Sequence, residues 1–181
     1  MYIDILLLHH LMIKPKHGYE VKKQLERLFA DTIRVNNNML YPSLRKFEQM
    51  GAITKEVDSR PGKPSRHMYA ITELGKKMFH KLLREFPPEF AAHENEFIVR
   101  VSLFDYLQLP EQQAILNART DYLRSQLEVI TQGQSLTEGK PFAISTFQFL
   151  IKKLRDELNW IETLNDQLYN YGGGKSIENK G

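Results

Sequence analysis

The sequence predicts a mainly α-helical protein: an N-terminal winged helix-turn-helix domain over residues 1–86 and a C-terminal α-helical dimerisation domain over residues 87–171. Three observations carry this. Three helical patterns are followed by two short β-type runs around a basic, Pro/Gly-rich turn. Apolar residues in 142–169 recur at alternating steps of four and three. Charge also divides along the chain: residues 1–85 hold 16 Lys+Arg against 9 Asp+Glu, whereas residues 86–181 hold 9 against 13. A basic front half and an acidic back half point to two jobs, with the front half suited to a polyanion.

Residues 2–13 form a helix that is apolar nearly all round, so it belongs under other helices or at a subunit contact. Lys14-Pro15-Lys16 ends it. A second helix runs from Gly18 to about Ala30, with Tyr19, Val21, Leu25, Leu28 and Phe29 in one stripe and Lys22, Lys23, Glu26 and Arg27 facing out. The third is the stretch the others present. Asn36, Asn37 or Asn38 can cap it, Leu40, Leu44 and Phe47 share its inner side, and Gly51 stops it. Its opposite side carries Asn38, Pro42, Arg45, Lys46 and Gln49, with Tyr41 on the flank. Pro42 is compatible with a helix if it falls in the first turn, which sets the start near Asn37 or Asn38.

After Gly51 the period changes. Residues 52–57 alternate as a strand, 58–65 form a turn by their Asp, Ser, Pro and Gly content, and 66–71 form a second strand with Tyr69 and Ile71 on one face. Thr72 caps a fourth helix that stops at Pro87-Pro88. Three helices and a hairpin with a basic tip make the winged form of the helix-turn-helix, in which the third helix enters the major groove and the hairpin lies over the flanking backbone. Arg60, Lys63 and Arg66 at the tip would neutralise phosphates.

The back half reads as helices over 94–108 and from Pro110 to about Ile130, a loop from Thr131 to Pro141, and a last helix from Phe142 to Tyr169. The seam of the last helix is Phe147, Ile151, Leu154, Leu158, Ile161, Asn165 and Leu168. A period of 3.5 held this long suits coiled-coil pairing, and a seam Asn sets register. Such a helix is about 40 Å long, more than the rest of a small chain readily covers, so a second subunit is expected on it. Packing within its own domain is the plainer alternative. Residues 172–181 are Gly-rich and polar and read as a disordered tail.

The chain contains no cysteine, which removes disulfides, thiolate metal sites and cysteine nucleophiles and suits a reducing compartment. The apolar run at 5–13 lacks a basic flank and is too short to span a bilayer, so a soluble, cytoplasmic protein without membrane association is expected. His9, His10, His17, His67, His80 and His93 form no ligand pattern, and no phosphate loop, nucleophile elbow or dinucleotide fingerprint occurs. No metal, cofactor or enzymatic activity is expected. The rival to DNA binding is a winged-helix module that binds protein, against which the retained basic helix and wing argue.

Three runs carry a resemblance: HGYEVKKQLE (17–26), LYPSLRKFEQMGAI (40–53) and GKPSRHMYAITELG (62–75). In order and spacing they resemble the PadR family of bacterial transcriptional regulators, and DELNWIETL (156–164) looks like the helical C-terminal region of its longer members, shared with virulence-gene activators. The position before LYP, commonly glycine or a small polar residue in the family, is Met39 here. The resemblance implies a homodimer joined through its C-terminal helices with help from the first helix, binding a palindromic operator, with repression the commoner outcome. It places Tyr19, Tyr41, Pro42 and the wing cations near DNA. By their chemistry, Arg45 or Lys46 could read guanine and Asn38 or Gln49 adenine. The candidate DNA-binding set is therefore Tyr19, Asn37, Asn38, Tyr41, Pro42, Arg45, Lys46, Gln49, Arg60, Lys63 and Arg66. Many relatives respond to small aromatic or lipophilic compounds held between the two parts, which adds such an effector to the expected partners.

Overall fold

In a computed structural model, the structure describes residues 2–29, 33, 35, 37–58 and 66–174. The elements are α1 (Tyr2–Ile13), β1 (Lys16–His17), α2 (Gly18–Phe29), α3 (Asn37–Gln49), β2 (Ile53–Asp58), β3 (Arg66–Ile71), α4 (Glu73–Arg84), α5 (Glu94–Val101), α6 (Leu109–Gln134) and α7 (Pro141–Gly174), with 3-10 turns at Pro88–Ala92, Phe104–Tyr106 and Ser135–Thr137. The fold is mainly helical with a three-stranded antiparallel sheet in the order β1-β3-β2. The expected mainly α winged helix-turn-helix class is what the chain forms.

Two compact units are present: residues 1–85 with 94–107, and residues 86–93 with 108–181. Glu94–Leu107, grouped by sequence with the C-terminal region, therefore packs with the first unit. In that unit α1 is the centre. Ile3, Ile5, Leu6, Leu7, Leu8 and Leu11 are all buried, and α2, α3, α4, α5 and β3 pack around it. A helix without a polar face is stable in water only when covered on every side. Two polar side chains on it, Asp4 and His10, are buried with it.

Backbone rules set the ends of the elements. Gly51, at φ 71°, closes α3: its N–H donates to the Glu48 carbonyl and the Ala52 N–H to the Phe47 carbonyl, the paired bonds of a Schellman stop. Thr72 Oγ1 accepts from the Gly75 N–H at 3.2 Å and donates to the Gly51 carbonyl at 2.8 Å, tying the start of α4 to the end of α3. A Cβ on Gly75 would stand 2.1 Å from the Ala52 carbonyl oxygen, so only glycine lets α4 approach β2 this closely. β2 and β3 pair from Ile53 with Ile71 to Asp58 with Arg66. β1, which sequence reading took for a helix breaker, adds Lys16 opposite Tyr69 and His17 opposite Met68.

The α5 region is fastened by a buried pair. Arg100 donates to Glu96 Oε2 at 2.7 Å and to the Leu82 and Glu85 carbonyls at the end of α4, while Glu96 Oε1 accepts from the Tyr2 N–H at 2.8 Å. Burial opposes the charge on Glu96, but the bonds from Arg100 and Tyr2 outweigh it and hold its carboxyl below the usual range. α5 ends at Val101, followed by the Phe104–Tyr106 turn, rather than continuing to residue 108 as expected.

In the second unit α6 and α7 pack side by side. α6 extends to Gln134, so the expected loop at 131–141 is helical in its first part and a 3-10 turn in its middle. α7 extends to Gly174 and so includes residues 172–174 of the expected tail; the remainder of that tail lies outside the described residues. Arg119 of α6 donates to both carboxylate oxygens of Glu157 at 2.7 and 2.9 Å and to the Ala91 carbonyl. Gln113 donates to Asn165 Oδ1 at 2.9 Å, and the Phe147 ring lies against Gly133. Ile151 and Ile161 are buried, while Leu154, Leu158 and Leu168 are half-buried. The expected pairing seam thus meets α6 of the same chain at Phe147 and Asn165, while five of its seven residues remain half-buried.

Two stability tests follow from this packing. Burial, partly offset by the bond to the Leu6 carbonyl, pushes His10 down to about 4 from its ordinary 6.5. The unfolded chain then takes up a proton that the folded chain resists, so stability is complete above about pH 6.5 and falls as pH drops towards 4, by up to about 3 kcal/mol. His10→Leu is expected to flatten that part of the pH–Tm curve. Gly75→Ala is expected to cost roughly 1–3 kcal/mol by overpacking, read by urea denaturation at neutral pH.

Candidate nucleic-acid interface

The inner side of α3 is used up by packing: Leu40, Leu44 and Phe47 are fully or almost fully buried and Ser43 is buried beside them. What remains in water is an edge bearing Asn37, Asn38, Tyr41, Pro42, Arg45 and Gln49, all exposed. Pro42 falls in the second turn, inside the helix, rather than in the first as the sequence argument required. It cannot donate to the Asn38 carbonyl, but both residues are exposed, so that carbonyl remains open to solvent hydrogen bonding.

Lys46 is placed differently from the other cations expected on this face. Its Nζ donates to Asp4 Oδ2 of α1 at 2.7 Å and stands 4.6 Å from the centre of the Phe47 ring. Its side chain is 42% exposed against 3% for Asp4. Lys46 therefore neutralises a buried carboxylate and helps seat α3 on α1. Arg45 makes no comparable inward pair among the described contacts and remains on the outer edge.

Tyr19, Tyr41 and Arg66 come together. They line an open depression of about 380 Å³ with His17, Gly18, Glu20, His67 and Tyr69, at the meeting of α2, α3 and β3. Gly18 lies in the floor of this depression, where a Cβ would stand 3.4 Å from the Tyr41 ring and 3.4 Å from Leu44, an ordinary contact distance. His17 holds the wing strand to the start of α2, with Nδ1–H donating to the His67 carbonyl at 3.2 Å and its backbone N–H donating to Glu20 Oε2 at 3.1 Å. Tyr69 is buried, and that burial, with Glu48 nearby, holds its phenol above the ordinary value. Its hydroxyl stays protonated, a neutral donor beside the exposed phenol of Tyr19, which is 64% in solvent.

Arg60 and Lys63 lie outside the described residues; Arg66, at the base of the wing, is exposed. Sequence reading did not single out His17, His67 or Tyr69 as part of this surface. The R-x-x-Y spacing of Arg66 and Tyr69 was the available sign, because a pair three apart on a strand puts one residue outward and the other inward. Among the described residues no group of acidic and His side chains could hold a metal ion, and no helix is long and apolar enough to cross a membrane.

The Lys46 geometry separates scaffold from surface. Lys46→Ala would leave Asp4 buried without its cation. A fully buried pair so broken costs about 3–5 kcal/mol; the exposure of Lys46 reduces the expectation to about 2 kcal/mol. Gln49→Ala is expected to stay within about 0.5 kcal/mol of the parent. Paired denaturation curves check both.

Residues 7–81 match the family described as the transcriptional regulator PadR-like family. The chain is also similar to the negative transcriptional regulator PadR of Bacillus subtilis (strain 168), at 22% identity over 159 residues that cover 83% of this chain and 87% of that protein. Among solved structures, Bacillus subtilis PadR in complex with operator DNA covers 93% of this chain and 99% of its own at 16% identity, with a TM-score of 0.46. The same protein in complex with p-coumaric acid has the same coverage and identity and a TM-score of 0.41. The matched segment begins within α1 and ends within α4, spanning the helices and the wing that frame the exposed edge of α3. Over residues 7–81 the chain thus carries a domain like that of the PadR-like family of transcriptional regulators.

Proposed function

We propose that this chain is a cytoplasmic, homodimeric repressor that binds a palindromic operator and is released by a small aromatic or lipophilic effector. The observation that carries the reading is the exposed edge of α3, with Asn38, Arg45 and Gln49 free of the core and Tyr19, Tyr41 and Arg66 beside them. In a PadR-like domain this edge is the part that enters the major groove. Asn37 lies at the helix start, where it and the backbone can meet phosphate. Arg45 pairs with guanine O6/N7, and Asn38 or Gln49 with adenine N6/N7. Tyr19, Tyr41 and Arg66 contact the flanking phosphates, joined by Arg60 and Lys63 of the wing. Pro42 packs at the groove edge, and Lys46 contributes positive potential more than a direct contact because it is paired with Asp4.

A second copy of the chain has a surface to join. The outer side of α7 exposes Phe142 (88%), Phe149 (66%) and Trp160 (38%), large apolar side chains of the kind that interfaces bury. The seam running from Phe147 to Leu168 packs on α6 and supports that surface from behind. A two-fold dimer matches the symmetry of a palindrome. The complexes of Bacillus subtilis PadR with operator DNA and with p-coumaric acid are precedents for the two other partners.

Fluorescence anisotropy on upstream DNA at several salt concentrations tests the reading. Tight binding to one palindromic site is expected, with affinity falling steeply as salt rises. Arg66→Ala should weaken binding to all sequences alike, and Arg45→Ala or Gln49→Ala should alter base preference at a cost of about 1–3 kcal/mol. Equal affinity for random DNA would sink the regulator reading. Sedimentation is expected to give twice the 21.2 kDa chain mass; a stable monomer would sink the dimer.

A further inference from the structure

A cavity of about 340 Å³ lies where α1, α3 and α5 meet, on a different flank of α3 from the Tyr41 depression. Tyr2, Ile3, Met39 and Pro42 give it apolar walls, and Asp4 and Glu96 also line it. The two carboxylates differ. Both Glu96 oxygens are engaged, Oε1 by the Tyr2 N–H and Oε2 by Arg100. Asp4 is 2% exposed, and among the described residues only Oδ2 is engaged, by Lys46; Oδ1 is buried with no hydrogen-bond partner among them. A buried carboxylate oxygen lacking a donor is costly, and a carboxylate can accept about four hydrogen bonds. Asn38, Ser43 and Lys46 also line the cavity, but no hydrogen bond among the described residues reaches that oxygen.

We propose that this cavity binds a small protonated amine carried on a flat apolar body, with the ammonium donating to Asp4 Oδ1 and the body lying between Ile3 and Met39. A charge-assisted bond from an ammonium is the strongest partner such an oxygen can take. The volume is at the small end of ligand cavities, which favours a single ring on a short chain over a polycyclic body. A carboxylate of the same shape is disfavoured, because it would face Asp4 and Glu96 while their cations, Lys46 and Arg100, are already paired with them.

The site has a built-in output. Asp4 is the anchor of Lys46, and Asn38, Met39, Pro42 and Ser43 of the first turns of α3 line the same cavity. An ammonium sharing the Asp4 carboxylate weakens its hold on Lys46 and reseats the start of α3. That consequence for DNA rests on the proposed function; binding of the amine does not.

The experiment uses the full chain with methyl-labelled Ile and Met, titrated with phenethylamine and, separately, with hydrocinnamate, its carboxylate counterpart. Calorimetry should show the amine binding and the acid not binding, and the Ile3 and Met39 methyl signals should move with the amine alone. Asp4→Asn should weaken amine binding about tenfold or more. The double variant Asp4→Asn/Lys46→Met removes both charges together and should show the same loss, which covers the case in which the single variant does not fold. The proposal is overturned if phenethylamine fails to saturate the protein, if the acid moves the same methyls, or if the Asn variants bind the amine as the parent does. Amine binding without DNA binding at any salt would overturn the regulator reading and leave the site standing; DNA binding without amine binding would do the reverse.

Discussion

The first unit depends on one requirement: α1 must be kept from water on every side. Ile5, Leu7 and Leu8 have no exposed surface at all, and each such side chain contributes roughly 1.5–3 kcal/mol by leaving water. The helices and β3 are arranged to meet that demand. α3 pays for its place with its inner face, Leu40, Leu44 and Phe47. Its outer edge is left over, and it is there that polar and cationic side chains gather. The exposed edge of α3 is therefore a by-product of covering an apolar helix, and its orientation is as firm as that burial.

Polar groups within this packing are few and engaged in specific ways. The Glu96–Arg100 pair ties the start of α1 and the end of α4 to α5. Asp4 and Lys46 tie α1 to α3. Pairs of this kind give little net stability compared with apolar side chains of the same volume, yet losing one partner is expensive. They act as keys that admit one seating of the helices. Asp4 is engaged through one oxygen only, and the junction it lines is where the proposed small molecule would change the seating of α3.

The second unit follows a different logic. α6 and α7 are long, and the 3.5-residue repeat of α7 is met by α6 through Phe147, Ile151, Ile161 and the Gln113–Asn165 bond. Asn165 accepts a hydrogen bond from Gln113 across this seam, so a polar seam residue is met here between two helices of one chain. Because α7 also carries Phe142, Phe149 and Trp160 on its other side, it is amphipathic twice over, with one apolar strip for α6 and another still facing water.

Much of this was legible in the residues. The limits of β3, the Thr72 cap and the Gly51 stop follow from local backbone chemistry, and local chemistry acts over a few residues wherever the chain goes. The exposed edge of α3 was legible for the same reason, since a 3.6-residue period assigns faces without reference to partners. Four features were not. β1 is two residues long and has no period to read; it exists because β3 offers it an edge. α6 continues to Gln134, past Gly133, where a Cβ would stand 2.9 Å from the Phe147 ring, a contact with a residue far along the chain. Lys46 looks like its neighbour Arg45 until Asp4, 42 positions away, claims it. The α7 seam announces a partner helix without naming it, and that partner is joined by a bond spanning 52 positions. Sequence by itself determined the class of the fold, the stops and caps of its elements and the polar edge of α3. Only the tertiary structure decided which cation turns inward and which helix fills the seam, because pairing between distant residues depends on packing that no local pattern encodes.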